Sequence, residues 1–172
     1  MKKYLIFKNW HYSFFLFGRL FGWFYNKKKF NIKFKFSNEC WWEIPRDHND
    51  LDLNKLIGLS FGLIRKNSIR ISWVPDFNNK NRIRIYGYSY DSNNKEHISK
   101  YICDVETMKE YNCYIEIKEN TYIIDMTPLG KIGLNNNIRD SKFIKKLYPY
   151  FGGNNKSPNK MYIWAEIKSQ YN

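Results

Sequence analysis

The sequence predicts an all-β fold, a jelly-roll sandwich, over a chain of 172 residues. Three observations predict it. Apolar and polar residues alternate with period two in segment after segment, which puts one row of side chains on a core and the next on the opposite face. Turn-forming clusters separate these segments at intervals of roughly eight to twelve residues, the spacing of sandwiches and jelly rolls. Aromatic residues make up 19% of the chain and hydrophobic residues 43%. A chain of this size and composition buries a core without disulfide staples.

The N-terminal segment begins Met1-Lys2-Lys3 and is followed by apolar residues, which imitates a signal peptide. Its richest stretch, Trp10 to Tyr25, is interrupted by Arg19. It is too short for a membrane-spanning helix and no small-residue cleavage site follows it. It is read as a pair of strands, with a membrane-surface segment as the alternative. Phe30, Ile32, Phe34 and Phe36 alternate with Asn31, Lys33 and Lys35, giving a strand with one apolar and one basic face. Asp50 to Leu59 reads as the one short helix, capped by Asp50 and with Leu53, Leu56 and Ile57 at helical spacing.

Ser68 to Val74 and Arg82 to Tyr90 form a hairpin around the turn-rich link 75–81. Ile69, Ile71 and Trp73 share one face of the first strand, with Arg70 on the other. Arg82, Arg84, Tyr86, Tyr88 and Tyr90 share a face of the second. After a turn at 91–95, further strands fall at His97 to Val105, Tyr111 to Lys118 and Thr121 to Met126. The last two are joined tightly through Glu119-Asn120. Gly130 to Asp140, with its run of asparagines, is expected to be a mobile loop. Met161 to Lys168 is the closing strand. No internal repeat or linker interrupts the chain, so residues 1–172 are expected to form a single sandwich domain.

The formal net charge is +13. Such a field attracts anions and speeds their encounter. Nucleic acid, nucleotides, acidic polysaccharide and membrane surfaces are all compatible with it. Nine basic residues from Lys2 to Lys35 precede Glu39, the first acid, and a second basic run covers Arg139, Lys142, Lys145 and Lys146. Part of the excess reflects the Asn, Lys, Ile and Tyr usage of AT-rich coding. The run Lys27-Lys28-Lys29 has no accompanying nucleic-acid motif, and neither a P-loop nor a Rossmann glycine pattern occurs. Cys40, Cys103 and Cys113 are an odd number without metal-site spacing. They are expected to be buried free thiols in a reducing cytoplasm, the alternative being a Cys103–Cys113 pair across a hairpin. Asp76, Asp91, Asp104 and Asp125 fall in separate elements, so neither a metal site nor a cofactor is expected.

The best constellation is the Arg/Tyr face. Arg70, Arg82 and Arg84 present planar forks that match phosphate or carboxylate oxygens, and Tyr86, Tyr88 and Tyr90 offer flat apolar surface with hydroxyls. Trp42 joins them as a candidate ligand-binding residue. Trp41 and Trp42, if they lie on a strand, point to opposite faces, so one belongs to the core and the other to a stacking platform or an oligomer contact. His48 and His97 are isolated, and no pattern places either beside a catalytic partner. No residue is assigned a catalytic role.

Two stretches carry a resemblance. Tyr150-Phe151-Gly152-Gly153-Asn154-Asn155-Lys156-Ser157-Pro158 followed by Asn159 to Ile163 resembles the final loop and strand of concanavalin-like jelly-roll polysaccharide lyases. That implies a concanavalin-like sandwich. For activity it implies β-elimination of acidic glycans by a Tyr or His base and an enolate-stabilising cation. Asp52 to Gly62 with Asn67 to Trp73 is similar to small proteins of bacteriophages and gut bacteria. That implies a phage origin and a host-cytoplasmic role against host defence.

The leading expectation is therefore non-enzymatic capture of a small anionic ligand, a nucleotide or cyclic oligonucleotide. The alternatives are a lyase-like or acidic-glycan-binding protein, and an oligomeric structural protein whose aromatic N-terminus forms the interface.

Overall fold

A computed structural model describes residues 1–14, 22–43, 52–62, 67–91, 96–119, 121–135, 141–152 and 156–170. The strands in chain order begin with β1 (Lys2–Ile6), β2 (Ser13–Phe14), β3 (Trp23–Tyr25), β4 (Lys29–Phe36), β5 (Asn54–Phe61), β6 (Ser68–Pro75) and β7 (Arg82–Asp91). They continue with β8 (Glu96–Glu106), β9 (Tyr111–Lys118), β10 (Thr121–Asp125), β11 (Lys131–Asn135), β12 (Phe143–Leu147) and β13 (Met161–Ser169). Seven form one sheet, in the order β11-β10-β9-β4-β13-β1-β2, and six form the other, in the order β3-β12-β5-β6-β7-β8. Every strand pairing among the described residues is antiparallel.

The core lies between the sheets, where the two inner rows of side chains interdigitate. Phe30, Ile32, Phe34 and Phe36 come from β4 and are fully buried, as their alternation predicts. Ile69, Ile71 and Trp73 of β6 and Ile83 and Ile85 of β7 meet them from the other sheet. Gly87 continues the inner row of β7. A Cβ there would meet the side-chain ends of Ile132 and, at 2.8 Å, of Ile124, so side chains of the facing sheet fill the space over this glycine. The predicted β6–β7 hairpin forms over its full length, with Ser68 opposite Tyr90 and Pro75 opposite Ile83.

Several expectations are corrected. The stretch read as a helix, Asp50 to Leu59, contains most of β5. Residues 50 and 51 lie outside the described residues, and the short helical turn is a 3-10 turn at Asn38–Cys40. The cause is a β-bulge. Lys55 pairs with Ser72 and Ile57 with Ile71, so Leu56 is the extra residue. Leu56 and Ile57 are both buried, and this break in the period of two imitates helical spacing. Part of the expected mobile loop, Lys131–Asn135, is β11, paired along its length with β10; residues 136–140 lie outside the described residues. The aromatic N-terminal stretch does yield two strands, but β2 and β3 sit at the edges of different sheets. Cys103 and Cys113 also belong to different sheets, and all three thiols are free and buried. No described helix is long and apolar enough to cross a membrane.

Candidate functional site

Side chains that alternate away from the core line a groove of about 800 Å³ on the outer face of the six-stranded sheet. That volume lies within the range of ligand pockets. Its floor is Ser68 and Arg70 of β6, Tyr88 and Tyr90 of β7 and His97 of β8. Lys55, Lys145 and the segment Leu147 to Tyr150 form the other wall.

Register explains the floor. Arg70 lies directly opposite Tyr88, and Tyr90 directly opposite His97. The Tyr88 hydroxyl reaches diagonally to His97 and shares a hydrogen bond with its Nδ1 at 2.5 Å. The Tyr90 ring stacks on the same imidazole at 4.4 Å between centroids. Burial pushes the Tyr88 phenol above its ordinary pKa, against the opposing field of Arg70.

Lys55 sits beside this pair. Its Nζ lies 4.1 Å above the centre of the Tyr88 ring and donates to the Leu53 carbonyl at 2.5 Å. Burial and then the repulsion of Arg70 lower its pKa to about 8, with Asp52 opposing them. The groove therefore joins two cations, Arg70 and Lys55, to a hydrogen-bonded phenol–imidazole pair. Asp52 at the rim tempers the positive field.

The sequence-predicted site residues divide. Arg70 and Tyr88 line the groove. Arg84 lies four residues from Tyr88, about 13 Å along the strand, and is engaged elsewhere. Its Nη2 donates to the buried Asp76 carboxylate at 2.9 Å. Arg82 is exposed at the end of β7, opposite Glu106. Tyr86 packs edge-on against Tyr101 at 5.8 Å. Trp42 packs edge-on against the core residue Trp73 at 5.9 Å and also touches Phe151. Trp41 donates its indole N–H to the Asp76 carbonyl at 2.8 Å. Both tryptophans are partly buried against the core, because they follow the 3-10 turn and are not in a strand. His48 lies outside the described residues.

Sequence reasoning left out Lys55, His97 and the β12 wall. Lys55 was hidden by the helical reading of β5. His97 was readable: a hairpin closing symmetrically around residues 92–95 sets Tyr90 against His97. The wall of Lys145 and Tyr148 to Tyr150 arrives from some 75 residues further along than Arg70, and no local pattern announces it.

No family model matches the chain, and no curated protein matches it by sequence. Solved structures do match in fold, and they define the class: the chain is an all-β, concanavalin-like jelly-roll sandwich. An alginate lyase from Klebsiella pneumoniae superposes with a TM-score of 0.57 at 6% identity, over 84% of this chain and 60% of that one. A functionally unknown protein from Saccharomyces cerevisiae gives 0.56 at 8% identity, over 99% and 88%. A PL7 alginate lyase from Zobellia galactanivorans gives 0.53 at 8% identity, over 87% and 65%. The chain thus spans under two thirds of the length of the Klebsiella and Zobellia enzymes. These likenesses concern the fold and lend no support to capture of a nucleotide.

Proposed function

We propose that the chain recognises an acidic polysaccharide in the groove of the six-stranded sheet. The observation that carries this reading is the cluster of Arg70, Lys55 and Tyr88, in which two cations adjoin an aromatic face on the groove floor. A uronate polymer offers the complement, carboxylates repeated along the chain. A guanidinium matches a carboxylate in two parallel hydrogen bonds. The fold likeness to alginate lyases supports the same ligand class.

One further observation favours a second reading, cleavage by β-elimination. The Tyr88–His97 pair places a phenol and an imidazole in hydrogen-bond contact beside Arg70. In β-elimination a base takes the proton next to the carboxylate, and a cation stabilises the enolate charge. The electron pair then forms the C=C bond as the glycosidic C–O bond breaks, and the leaving oxygen takes up a proton. Tyr88 and His97 are the groups for the two proton transfers, and Arg70 and Lys55 for the charge.

The experiment is titration calorimetry with alginate and polygalacturonate oligomers, run beside an ultraviolet assay for unsaturated product. Saturable heat abolished by Arg70→Ala supports recognition. Heat without new absorbance confines the function to binding, and no heat with either polymer rejects the proposal.

A further inference from the structure

The opposite side of the sandwich carries a second ordered array of cations and rings. On the outer face of the seven-stranded sheet, Trp164 of β13 stands between Lys3 of β1 and Lys35 of β4, paired to both by register. Lys3 Nζ lies 5.3 Å and Lys35 Nζ 4.5 Å from the centre of the Trp164 ring. One outward position along β13, Lys3 Nζ lies 4.0 Å and Lys160 Nζ 5.7 Å from the centre of the Tyr162 ring. The two rings are neighbours at 6.4 Å. No ion pair among the described residues engages Lys3, Lys35 or Lys160. The field of Lys3 reaches Glu39, whose carboxyl is held below its ordinary value by the Ser37 hydroxyl, by a backbone hydrogen bond and by that lysine.

This arrangement differs from the rest of the same face. Lower on the sheet, Glu116 pairs with Lys29 and Lys118, Glu166 with Lys168, and Asp125 with Lys131, so carboxylates engage the lysines there. Around Trp164 the cations are held by rings instead of carboxylates. An ammonium over an aromatic face is attracted to it while keeping its full charge. The rings act as spacers that fix the lysines in a row and leave them free to meet an anion.

We propose that this row is a second binding surface for the same class of ligand, an acidic polysaccharide. The choice of ligand rests on the groove reading; the existence of the surface does not. Lys3 and Lys35 lie on the strands flanking β13, and both ammoniums lean in over the one Trp164 ring, so the two charges stand closer together than their strands. Paired cations of this kind suit a polymer that carries a carboxylate on every residue. Single-stranded nucleic acid fits less well. It binds by stacking bases on bare aromatic faces, and here the ammoniums occupy those faces. With a groove on one sheet and this row on the other, one protein molecule holds two polymer segments, and avidity follows from joining the sites on a rigid body.

The test is NMR titration of the full chain with mannuronate oligomers, following the Trp164 indole N–H and the His97 ring as separate reporters, with oligothymidylate as the competing class. Both reporters shift in the wild type. The double variant Lys3→Gln/Lys35→Gln weakens the Trp164 response about tenfold, the loss expected for one charge-assisted hydrogen bond, and leaves His97 unchanged. Lys35→Arg retains it. Arg70→Ala suppresses the His97 response and leaves that of Trp164. The proposal is overturned if Trp164 does not respond to the oligomer, if it responds equally in the double variant, or if it responds to oligothymidylate alone. A Trp164 response with a silent His97 upholds this surface and rejects the groove.

Discussion

Gly58 faces Arg70 across the β5–β6 pair, and the side chain that Gly58 lacks is replaced by that of Arg70. A Cβ on Gly58 would collide first with the Ile69 carbonyl oxygen and would stand 2.8 Å from both Cα and Cγ of Arg70. The stem of the arginine therefore lies over a bare patch of the neighbouring strand, within the groove that Tyr88 also lines. The geometry ties Arg70 to a backbone position two residues from the bulge at Leu56.

Gly58→Ala is expected to displace Arg70 and to lower stability by about 1–3 kcal/mol, the range for overpacking. Oligouronate affinity falls about as far as in Arg70→Ala. In the double variant the two losses do not add, because both act through one side chain. Calorimetry of the three variants beside the wild type checks this.

Tyr88→Phe and His97→Gln separate recognition from cleavage. Each removes one proton-transfer group of the pair joined by the 2.5 Å hydrogen bond while leaving Arg70 and Lys55 in place. If the groove cleaves its ligand, each variant loses about 10²-fold or more in rate and keeps its affinity within a few-fold. Rates come from ultraviolet absorbance and affinities from titration at short times. An equal fall of rate and affinity would contradict the assignment of the pair to proton transfer.

Arg84→Ala is expected to cost stability and to leave ligand affinity unchanged. Burial works to raise the Asp76 carboxyl, and hydrogen bonds from Asn79, Asn78 and Arg84 hold it below its ordinary value. Removing the arginine leaves that buried carboxylate short of one charged donor, a loss of about 1–3 kcal/mol. Urea unfolding and calorimetry in parallel distinguish this outcome from a loss of binding.

The pH dependence of stability carries the mark of Lys146. Its side chain is buried on β12 beside the groove, and burial, with repulsion from Lys2, lowers its pKa from 10.5 to about 8. Between those values the unfolded chain holds a proton that the folded chain has released, so this group makes stability rise with pH. Cys103, raised by burial from 9.0 to about 11, acts with the opposite sign above about pH 9. Lys146→Met isolates the lysine: the variant gains on the wild type at pH 7, and the gain shrinks toward pH 10. Unfolding free energies at the two pH values test it. A gain independent of pH would show that Lys146 titrates normally.

The strands were readable where alternation was strict. Phe30 to Phe36, Ser68 to Val74, Arg82 to Tyr90 and Met161 to Lys168 all form strands with the expected faces buried. Reading failed where the period slipped. The bulge at Leu56 made β5 look helical, and with it Lys55 left the site. The Arg/Tyr face was legible as a row, but a row on one strand is some 30 Å long at ten residues, so its two ends serve different neighbours. Tyr88 meets the groove, whereas Arg84 meets Asp76.

By itself, then, the sequence determined a basic β-sandwich, the strands that build it, their apolar faces and the Arg70–Tyr88 hairpin. Period and turn chemistry are local properties, carried by residues that are neighbours in the chain. Only the tertiary structure decided what surrounds each cation. That depended on partners far away in sequence: the bare backbone of Gly58 for Arg70, the ring of Tyr88 for Lys55, and Trp164 between Lys3 and Lys35. A charge is fixed by residue type, but its freedom to bind is fixed by what the fold brings within a few ångströms of it.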